Sequence, residues 1–523
     1  MADTKREIER KYEGPPAGED VRLPDLTGVS GVSGVLDKGV AELDATYYDT
    51  PDQRLAAASL TLRRRTGGAD AGWHLKLPVS EGVRDEIHAP LSDTVPRSLT
   101  GLVRSRVRDA ELVPLVRLLS ARDIRHLVDA SGALLAEVSL DRVRAERLSG
   151  GEGTAEWTEI EVELADDGDP AFLDKVEKKL RKAGLSRSSS PSKLARALGE
   201  TGQTGESGQT GESGKRKKSA AGAATATSPA AQAPVTAGDH VLAYLRVQRD
   251  AIVELDPAVR RDVYDSVHSM RVATRRMRSA FRSYGRVLDR TVTDPIGDEL
   301  KWLAGELGLD RDQEVLTERL TAALDNLPRT LLSGPVRTRL RTWSHARGSG
   351  SRRHLIAVLD GKRYLALLAA LDAIVSDPPL LKAASGDPAK VIAKAVRKDF
   401  KKVSDLVGQA LDRPPGADRD LAMHEARKKA KRTRYSAETA TPALGRPAAD
   451  LVKSMKSLQT LLGDHQDSVM TREALRELAG QAHAAGESAF TYGVLYGREE
   501  QRAAAAEAAL PGAWEAIEGQ GAV

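Results

Sequence analysis

Along the first 200 residues, polar and apolar side chains alternate in short runs, and the polar face of each run is charged. In Glu159-Ile160-Glu161-Val162-Glu163-Leu164 the three carboxylates take one side of an extended chain and the three aliphatic side chains the other, because successive strand residues point to opposite faces. Near the start, Glu7, Glu9 and Lys11 share one face of Glu7-Ile8-Glu9-Arg10-Lys11. Arg63 and Arg65 alternate with Leu62 and Arg64, and His74 and Lys76 with Trp73, Leu75 and Leu77. Arg84 and Glu86 alternate with Val83 and Ile87, with Asp85 as an exception, and Glu137, Ser139 and Asp141 alternate with Ala136, Val138 and Leu140. Runs of this kind, cut by Gly and Pro, predict strands over 47–50, 59–65, 72–78, 84–91, 134–143 and 157–164. Helical spacing predicts helices around 96–119 and 170–183.

One strand of this kind is an ordinary solvent-facing strand. Several of them, each rich in acid and base on one face, suggest a closed sheet with a charged interior and apolar outer faces covered by the helices. A barrel of about eight strands has room for side chains or one small ligand. Carboxylates at Glu7, Glu9, Glu159 and Glu161, with Glu163 as a further candidate, suit Mg²⁺ or Mn²⁺, which prefer oxygen ligands. Cations at Lys11, Arg63, Arg65, Lys76, Arg84, Arg122 and Lys193 suit a polyphosphate chain, with Arg117 and Arg125 competing for the place of Arg122. Tyr47, Tyr48 and Trp73 either stack on an organic leaving group or belong to the barrel wall.

The pattern changes in the middle of the chain. Residues 200–236 repeat a Gly/Ser/Thr unit, pass through four basic residues at 215–218 and continue as an Ala/Thr/Pro tract, with no apolar period. Such a segment reads as a flexible linker between a domain at 1–199 and one at 237–512. Beyond it, long Ala/Leu/Arg/Glu segments with a period near 3.6 predict an all-helical half, punctuated by Pro-Pro at 378–379 and 414–415.

Charge follows the same division. Residues 1–200 carry 30 Lys+Arg against 35 Asp+Glu, whereas residues 235–523 carry 45 against 38. A cation site is therefore expected in the first half and an anion site in the second. The 523 residues contain no cysteine, which excludes disulfides, thiolate metal sites and a cysteine nucleophile. The first residues lack the apolar stretch of a signal peptide, and no run of about 18 apolar residues is present to cross a membrane. A cytoplasmic protein is expected.

The segments EIERK, YYDT, LRRRTG, WHLKLP, RDEI, the Asp141 strand, EIEVEL and SKLARAL, in this order, resemble the CYTH family of triphosphate tunnel metalloenzymes over about residues 1–200. The resemblance implies an eight-stranded antiparallel tunnel that hydrolyses tripolyphosphate, thiamine triphosphate or nucleoside triphosphates, or acts as an adenylate cyclase. It implies that Glu7, Glu9, Glu159 and Glu161, with Glu163, hold the divalent metal. It further implies that Lys11, Arg63, Arg65, Lys76, Arg84, Arg122 and Lys193 grip the triphosphate, with Glu86 and Asp141 supporting them. His74 shares the tunnel face and is expected to be structural or hydrogen-bonding rather than catalytic.

The helical half contains an internal repeat. His268, Arg271, Arg275 and Arg278 recur as His424, Arg427, Lys431 and Arg434, and the two histidines are 156 residues apart. Leu307-Gly308 recurs as Leu462-Gly463, 155 residues on, and Lys301 and Lys456 each precede their Leu by six. Steps of three and four put each set on one helical face as a cationic ridge, while Val267, Met270, Met277, Phe281 and Tyr284 form a neighbouring core face. Such a ridge repels itself unless a polyanion or carboxylates face it. Asp312 and Asp467 either cap helices or pair with ridge arginines, and Lys394, Arg397 and Lys401 either extend the basic surface or are solvated.

This half resembles the CHAD domain, a conserved-histidine α-helical domain, through H-x-x-R and L-G-x-x-[RQ]-D over about residues 237–510. The resemblance implies two pseudo-symmetric four-helix bundles that bind inorganic polyphosphate. It places the site at His268, Arg271, Arg275, Arg278, Lys301, His424, Arg427, Lys431, Arg434 and Lys456. Gln466 stands where the first copy has Arg311. Nucleic acid is the weaker candidate: aromatic residues are 4% of the chain, and single-strand readers need aromatic platforms. The whole is expected to be a multidomain α+β protein: a metal-dependent triphosphatase fused to a polyphosphate-binding module. The alternatives are a non-catalytic polyphosphate binder and an adenylate cyclase.

Overall fold

The computed structural model describes residues 3–14, 23–201, 233–308, 311–348 and 351–518, with backbone alone at 3, 311, 312, 346–348 and 351. All but the ends of the expected linker, including the basic cluster at 215–218, lies outside the described residues. The chain divides into two compact units, Met1–Ala230 and Ala231–Val523.

Alternating charge and aliphatic residues close the first unit into a barrel. Its strands are β1 (Asp3–Glu13), β2 (Gly34–Asp49), β3 (Thr61–Thr66), β4 (Gly72–Ser80), β5 (Val83–Ala89), β6 (Val113–Val128), β7 (Leu134–Arg147) and β8 (Thr154–Leu164). They run in the order β1-β5-β4-β3-β2-β6-β7-β8, antiparallel throughout, and β8 returns to β1. The aliphatic faces point outward and are buried under helices. The α2 helix (Arg97–Val107) packs Leu99, Leu102 and Val103 on Leu62, Trp73, Leu75 and Ile87. The α3 helix (Ala171–Lys182) packs Phe172, Leu173, Val176 and Leu180 on Tyr12, Val138, Ile160 and Val162. A shorter helix, α4 (Lys193–Thr201), packs Leu194 and Ala197 on Trp157 and Val143. One four-residue helix, α1 (Arg54–Ala57), precedes β3.

Two sequence expectations change here. The helix expected over 96–119 ends at Val107, and β6 starts at Val113. Pro114 cannot continue a helix, and from there Val116, Leu118 and Ser120 are buried while Arg117 and Leu119 are exposed, a period of two. The Asp85 exception is resolved by the sheet: Arg6 lies directly opposite it on β1 and donates to its carboxylate at 2.8 Å, outside the barrel.

The second unit is helical and duplicated. Its first copy comprises α5 (Ala237–Arg260), α6 (Ser266–Ser283), α7 (Arg290–Glu306), α8 (Arg311–Asp325), α9 (Val336–Gly348) and α10 (Ser351–Asp360). After α11 (Lys362–Ser376), the second copy comprises α12 (Pro388–Leu411), α13 (Ala417–Leu444), α14 (Arg446–Ala484) and α15 (Phe490–Glu518). Shifted by 155 residues, α7 and α8 together span the range of α14, and α9 and α10 that of α15. Each copy thus has four helical positions, two of which are divided in the first. Thr236 starts α5 with a capping box: its side chain accepts from Asp239 N, and the Asp239 carboxylate accepts from Thr236 N. Met270, Met277, Phe281 and Tyr284 lie in a core shared by both copies with Leu300, Val396, Val403 and Met423.

Candidate active site and anion-binding ridge

The barrel encloses a cavity of about 640 Å³. All seven cations expected from the sequence line it: Lys11, Arg63, Arg65, Lys76, Arg84, Arg122 and Lys193. So do Glu7, Glu9, Glu161, Glu163 and Glu86. Strand register sets opposite charges side by side, with Glu7 across from Arg84, Lys11 from Glu161, Lys76 from Glu86 and Arg122 from Asp141. Arg117 and Arg125 point outward to Asp44 and to Asp37 and Asp123, which leaves Arg122 as the tunnel arginine of β6.

Besides Lys5, which pairs with Glu163 at 2.7 Å and Asp166 at 3.8 Å, three ion-pair groups divide the lining. In the first, Lys76 Nζ lies 2.6 Å from Glu7 and 3.7 Å from Glu86, which also accepts from His74 Nδ1 at 2.9 Å. Burial pushes Glu7 up to about 7 against the pull of Lys76. Glu86, despite its own burial, is held well below the usual range by Lys76, His74 and Arg63. Burial, with Arg63 close by, pushes His74 down to about 4, so the ring is neutral: its one proton serves Glu86 through Nδ1, and Nε2, 2.9 Å from the Asp70 carbonyl, has no proton to donate there.

In the second group, Lys11 pairs with Glu161 and lies 3.3 Å from Glu9. Arg122 grips Asp141 through two bonds of 2.7 Å and reaches Glu161 at 2.9 Å. The Lys193 ammonium, at the start of α4, touches Asp141, Glu159 and Glu161 at 2.9, 2.6 and 2.8 Å. Glu159, expected among the metal ligands, lies behind this ammonium, accepts from Trp157 Nε1 at 2.7 Å and does not line the cavity. Asp141 is fully buried behind Arg122 and Lys193 and pairs with both.

The third group is at the β3–β4 turn, where Arg65 pairs with Asp70. Burial and the neighbouring Arg63 and Arg122 push its guanidinium down to about 9. Alternation alone would have added Lys5, which shares the parity of Glu7 and Glu9 and lines the cavity. Asp70 carried no such signal, because it sits in a turn. Trp73 and Tyr48 belong to the wall, their rings 4.9 Å apart, whereas Tyr47 faces in toward Arg63.

In the helical unit, the two ridges run along α6 and α13, and each of their residues is half-buried. Burial pushes Lys431 down to about 8, with Arg427 and Arg275 adding to the effect. An α6 arginine acting on an α13 lysine means that the two ridges converge. Lys301 and Lys456 are exposed on α7 and α14. Arg434 is partly engaged by Glu438 at 3.5 Å. His424 Nδ1 bonds Gln466 Oε1 at 2.6 Å. The Arg311 and Asp312 side chains lie outside the described residues. Asp467 caps nothing, because α14 runs through it, and it lies 3.9 Å from Arg319. Beyond Arg278 the ridge opens into a cavity of about 500 Å³ with Arg282, Arg290, Lys398, Lys402 and Arg432. Lys394, Arg397 and Lys401 are exposed on α12 and do not line it.

Family models match both units: the CYTH domain over residues 5–198 and the CHAD domain over residues 243–476. The chain is a CYTH–CHAD fusion. An uncharacterised protein of Mycobacterium tuberculosis is 39% identical over 512 residues, covering 94% of this chain and 92% of the relative. Within the CYTH domain, the thiamine-triphosphatase of Homo sapiens is 42% identical over 83 residues, 16% of this chain and 31% of that protein. The crystal structure of the CHAD domain from the plant Ricinus communis covers 55% of this chain and 93% of its own, at 22% identity and a TM-score of 0.40. No described helix of the CYTH–CHAD chain is long and apolar enough to cross a membrane.

Proposed function

We propose that the CYTH unit hydrolyses an inorganic triphosphate with a divalent cation and that the CHAD unit binds inorganic polyphosphate. The observation that carries this is the charge balance of the tunnel. Eight Lys and Arg side chains line the cavity, and so do eight carboxylates, among the described residues. A polyanion entering such a cavity must displace carboxylates from their cations, and the freed carboxylates then need a cation of their own.

The donor set fits a hard ion. Glu7, Glu9, Glu161 and Glu163 face the cavity with oxygen alone. A divalent cation at these residues supplies positive charge against the phosphate oxygens and makes water more acidic. The chain's own cations do the rest: Arg63, Arg65, Arg84 and Lys76 would hold phosphate oxygens, and Lys11, Arg122 and Lys193, turning to phosphate, would free Glu161 to serve as a metal ligand. Fixed charges stabilise a phosphoryl transition state without reorganising. The similarity to a thiamine-triphosphatase supports the same reaction class.

Inorganic substrate is favoured over an organic one because Tyr47, His74 and His88 supply the only rings among the described lining residues. In the CHAD unit, the Nε atoms of Arg275, Arg278 and Arg427 are buried without a hydrogen-bond partner among the described residues. Convergent guanidiniums of this kind suit a multiply charged chain.

Release of phosphate from tripolyphosphate, thiamine triphosphate, ATP and long-chain polyphosphate, each with Mg²⁺ or Mn²⁺, tests the proposal. Tripolyphosphate is expected to turn over fastest. Tight polyphosphate binding with no phosphate released from any of the four would leave a binding protein, and cyclic AMP from ATP would leave a cyclase.

A further inference from the structure

One buried histidine of the CHAD unit lies off the basic ridge. His465, on α14, is 1% exposed, and neither of its ring nitrogens has a hydrogen-bond partner among the described residues. Its Nε2 faces two carboxylates from two other helices, Asp420 Oδ1 of α13 at 3.2 Å and Glu507 Oε1 of α15 at 3.5 Å. All three donor atoms lie within 4.8 Å of one another.

These separations, together with the absence of hydrogen-bonding geometry at either ring nitrogen among the described residues, weigh between two accounts. An imidazolium sharing its proton with a carboxylate sits at about 2.7–2.9 Å. Ligands on a tetrahedral ion with bonds of about 2.1 Å are about 3.4 Å from each other. The observed 3.2 and 3.5 Å match the second spacing. The remaining oxygens are held from outside, Asp420 Oδ2 by Arg472 at 3.7 Å and Glu507 Oε2 by Arg419 at 3.3 Å. Outer groups of this kind fix the direction in which first ligands point. Since the two guanidiniums also neutralise the two carboxylates, the expected affinity is moderate.

We propose that Asp420, His465 and Glu507 form a site for a divalent cation of the zinc class, with a fourth position open to water. Three successive helices of one bundle supply the ligands, a common construction for metal sites in bundles. The nitrogen donor separates the site from the all-oxygen tunnel, since imidazole favours zinc-class ions and carboxylates alone favour magnesium and manganese. The first copy lacks the site: at the matching offsets stand Tyr264, which is 90% exposed, and Arg352, which donates to the Val259 and Arg260 carbonyls.

The location also links the ion to the ridge. Asp420 lies one turn before His424, and Gln466, next to His465, holds the His424 ring. An ion here braces α13 against α14 where the ridge begins; this consequence rests on the polyphosphate proposal, whereas the metal site does not.

Zinc titration of the full chain by calorimetry, with Co²⁺ absorption as the spectroscopic readout, tests it. Glu7→Gln, Glu9→Gln and Glu161→Gln together are expected to remove binding in the tunnel. In that background, one equivalent of Zn²⁺ is expected to bind, Co²⁺ is expected to give the visible bands of a nitrogen-containing site, and His465→Gln is expected to weaken binding more than tenfold. Asp420→Asn and Glu507→Gln are expected to weaken it similarly, and they decide the matter if circular dichroism shows His465→Gln unfolded. No zinc bound in the tunnel variant, or unchanged affinity in the folded ligand variants, overturns the site.

Discussion

The glycine at 308 makes room for Arg271: a methyl group there would come within 2.7 Å of the Arg271 guanidinium. The second copy repeats the arrangement more loosely, with 3.4 Å between a methyl at Gly463 and Arg427. This ties the Leu-Gly pair of each repeat to the ridge of the same repeat. A side chain at Gly308 would push on a charged group that faces the proposed polyanion, whereas one at Gly463 would only touch it.

Gly308→Ala is therefore expected to lower polyphosphate affinity severalfold with the helical fold intact. Gly463→Ala is expected to do less to binding and to stabilise the CHAD unit by about 0.5–1 kcal/mol, since it replaces glycine within α14. Binding isotherms and thermal melts of the two variants check this. Equal losses of affinity would refute the difference in spacing.

Binding by the ridge is expected to depend on pH through Lys431. Its midpoint, lowered to about 8 by burial beside Arg427 and Arg275, means that it is a cation below that pH and neutral above it. Polyphosphate affinity should rise as pH falls from about 9 to about 7, with proton uptake on binding. The sign for folding is opposite: the unfolded lysine, titrating near 10.4, binds more protons between the two values, so stability increases with pH there. Lys431→Arg is expected to keep affinity and lose the pH step, measurable by calorimetry in buffers of different ionisation enthalpy.

Removal of Lys193 leaves three buried carboxylates, Asp141, Glu159 and Glu161, short of a cation. Lys193→Met is expected to destabilise the CYTH unit by roughly 3–5 kcal/mol near neutral pH. The folded pKa of Lys193 is raised, so its contribution is present below the unfolded value and persists to alkaline pH. Asp141 and Glu161 are lowered by their cations in spite of burial, so the wild type should lose stability as pH falls below about 4. The variant, whose acids bind protons more readily, should lose less on acidification. Denaturant melts across pH test both statements.

Arg122→Ala is expected to reduce triphosphate hydrolysis by at least tenfold, whereas Arg117→Ala and Arg125→Ala leave it unchanged, because these two pair with carboxylates outside the barrel. Comparable losses in all three would remove Arg122 from its assigned place.

Chelation should abolish phosphate release, and Mg²⁺ or Mn²⁺ should restore it. Glu7→Gln with Glu9→Gln should not be restored by either ion. Turnover by that double variant would sink the assignment of the metal to these glutamates.

The barrel was legible where one face of a strand is charged and the other aliphatic, as in Glu159 to Leu164, because burial of the aliphatic face fixes register. β6 was partly hidden, because Arg104, Arg106, Arg108 and the leucines around them extend a helical spacing past the real helix end at Val107. The demotion of Glu159 from the cavity was not legible: its alternation matches that of Glu161, and only the fold places the Lys193 ammonium in front of it. His465 escaped for a related reason. Asp420 and Glu507 lie more than forty residues away on either side, and helix packing alone brings them together.

The eight-against-eight lining of the tunnel has a thermodynamic consequence. Apart from Arg84, which donates to the Pro191 carbonyl, a lining cation that turns to the proposed phosphate abandons a carboxylate, so the interior would work as an ion exchanger. Affinity for the anion and affinity for the metal are then two measurements of one coupling, and each must raise the other by the same factor.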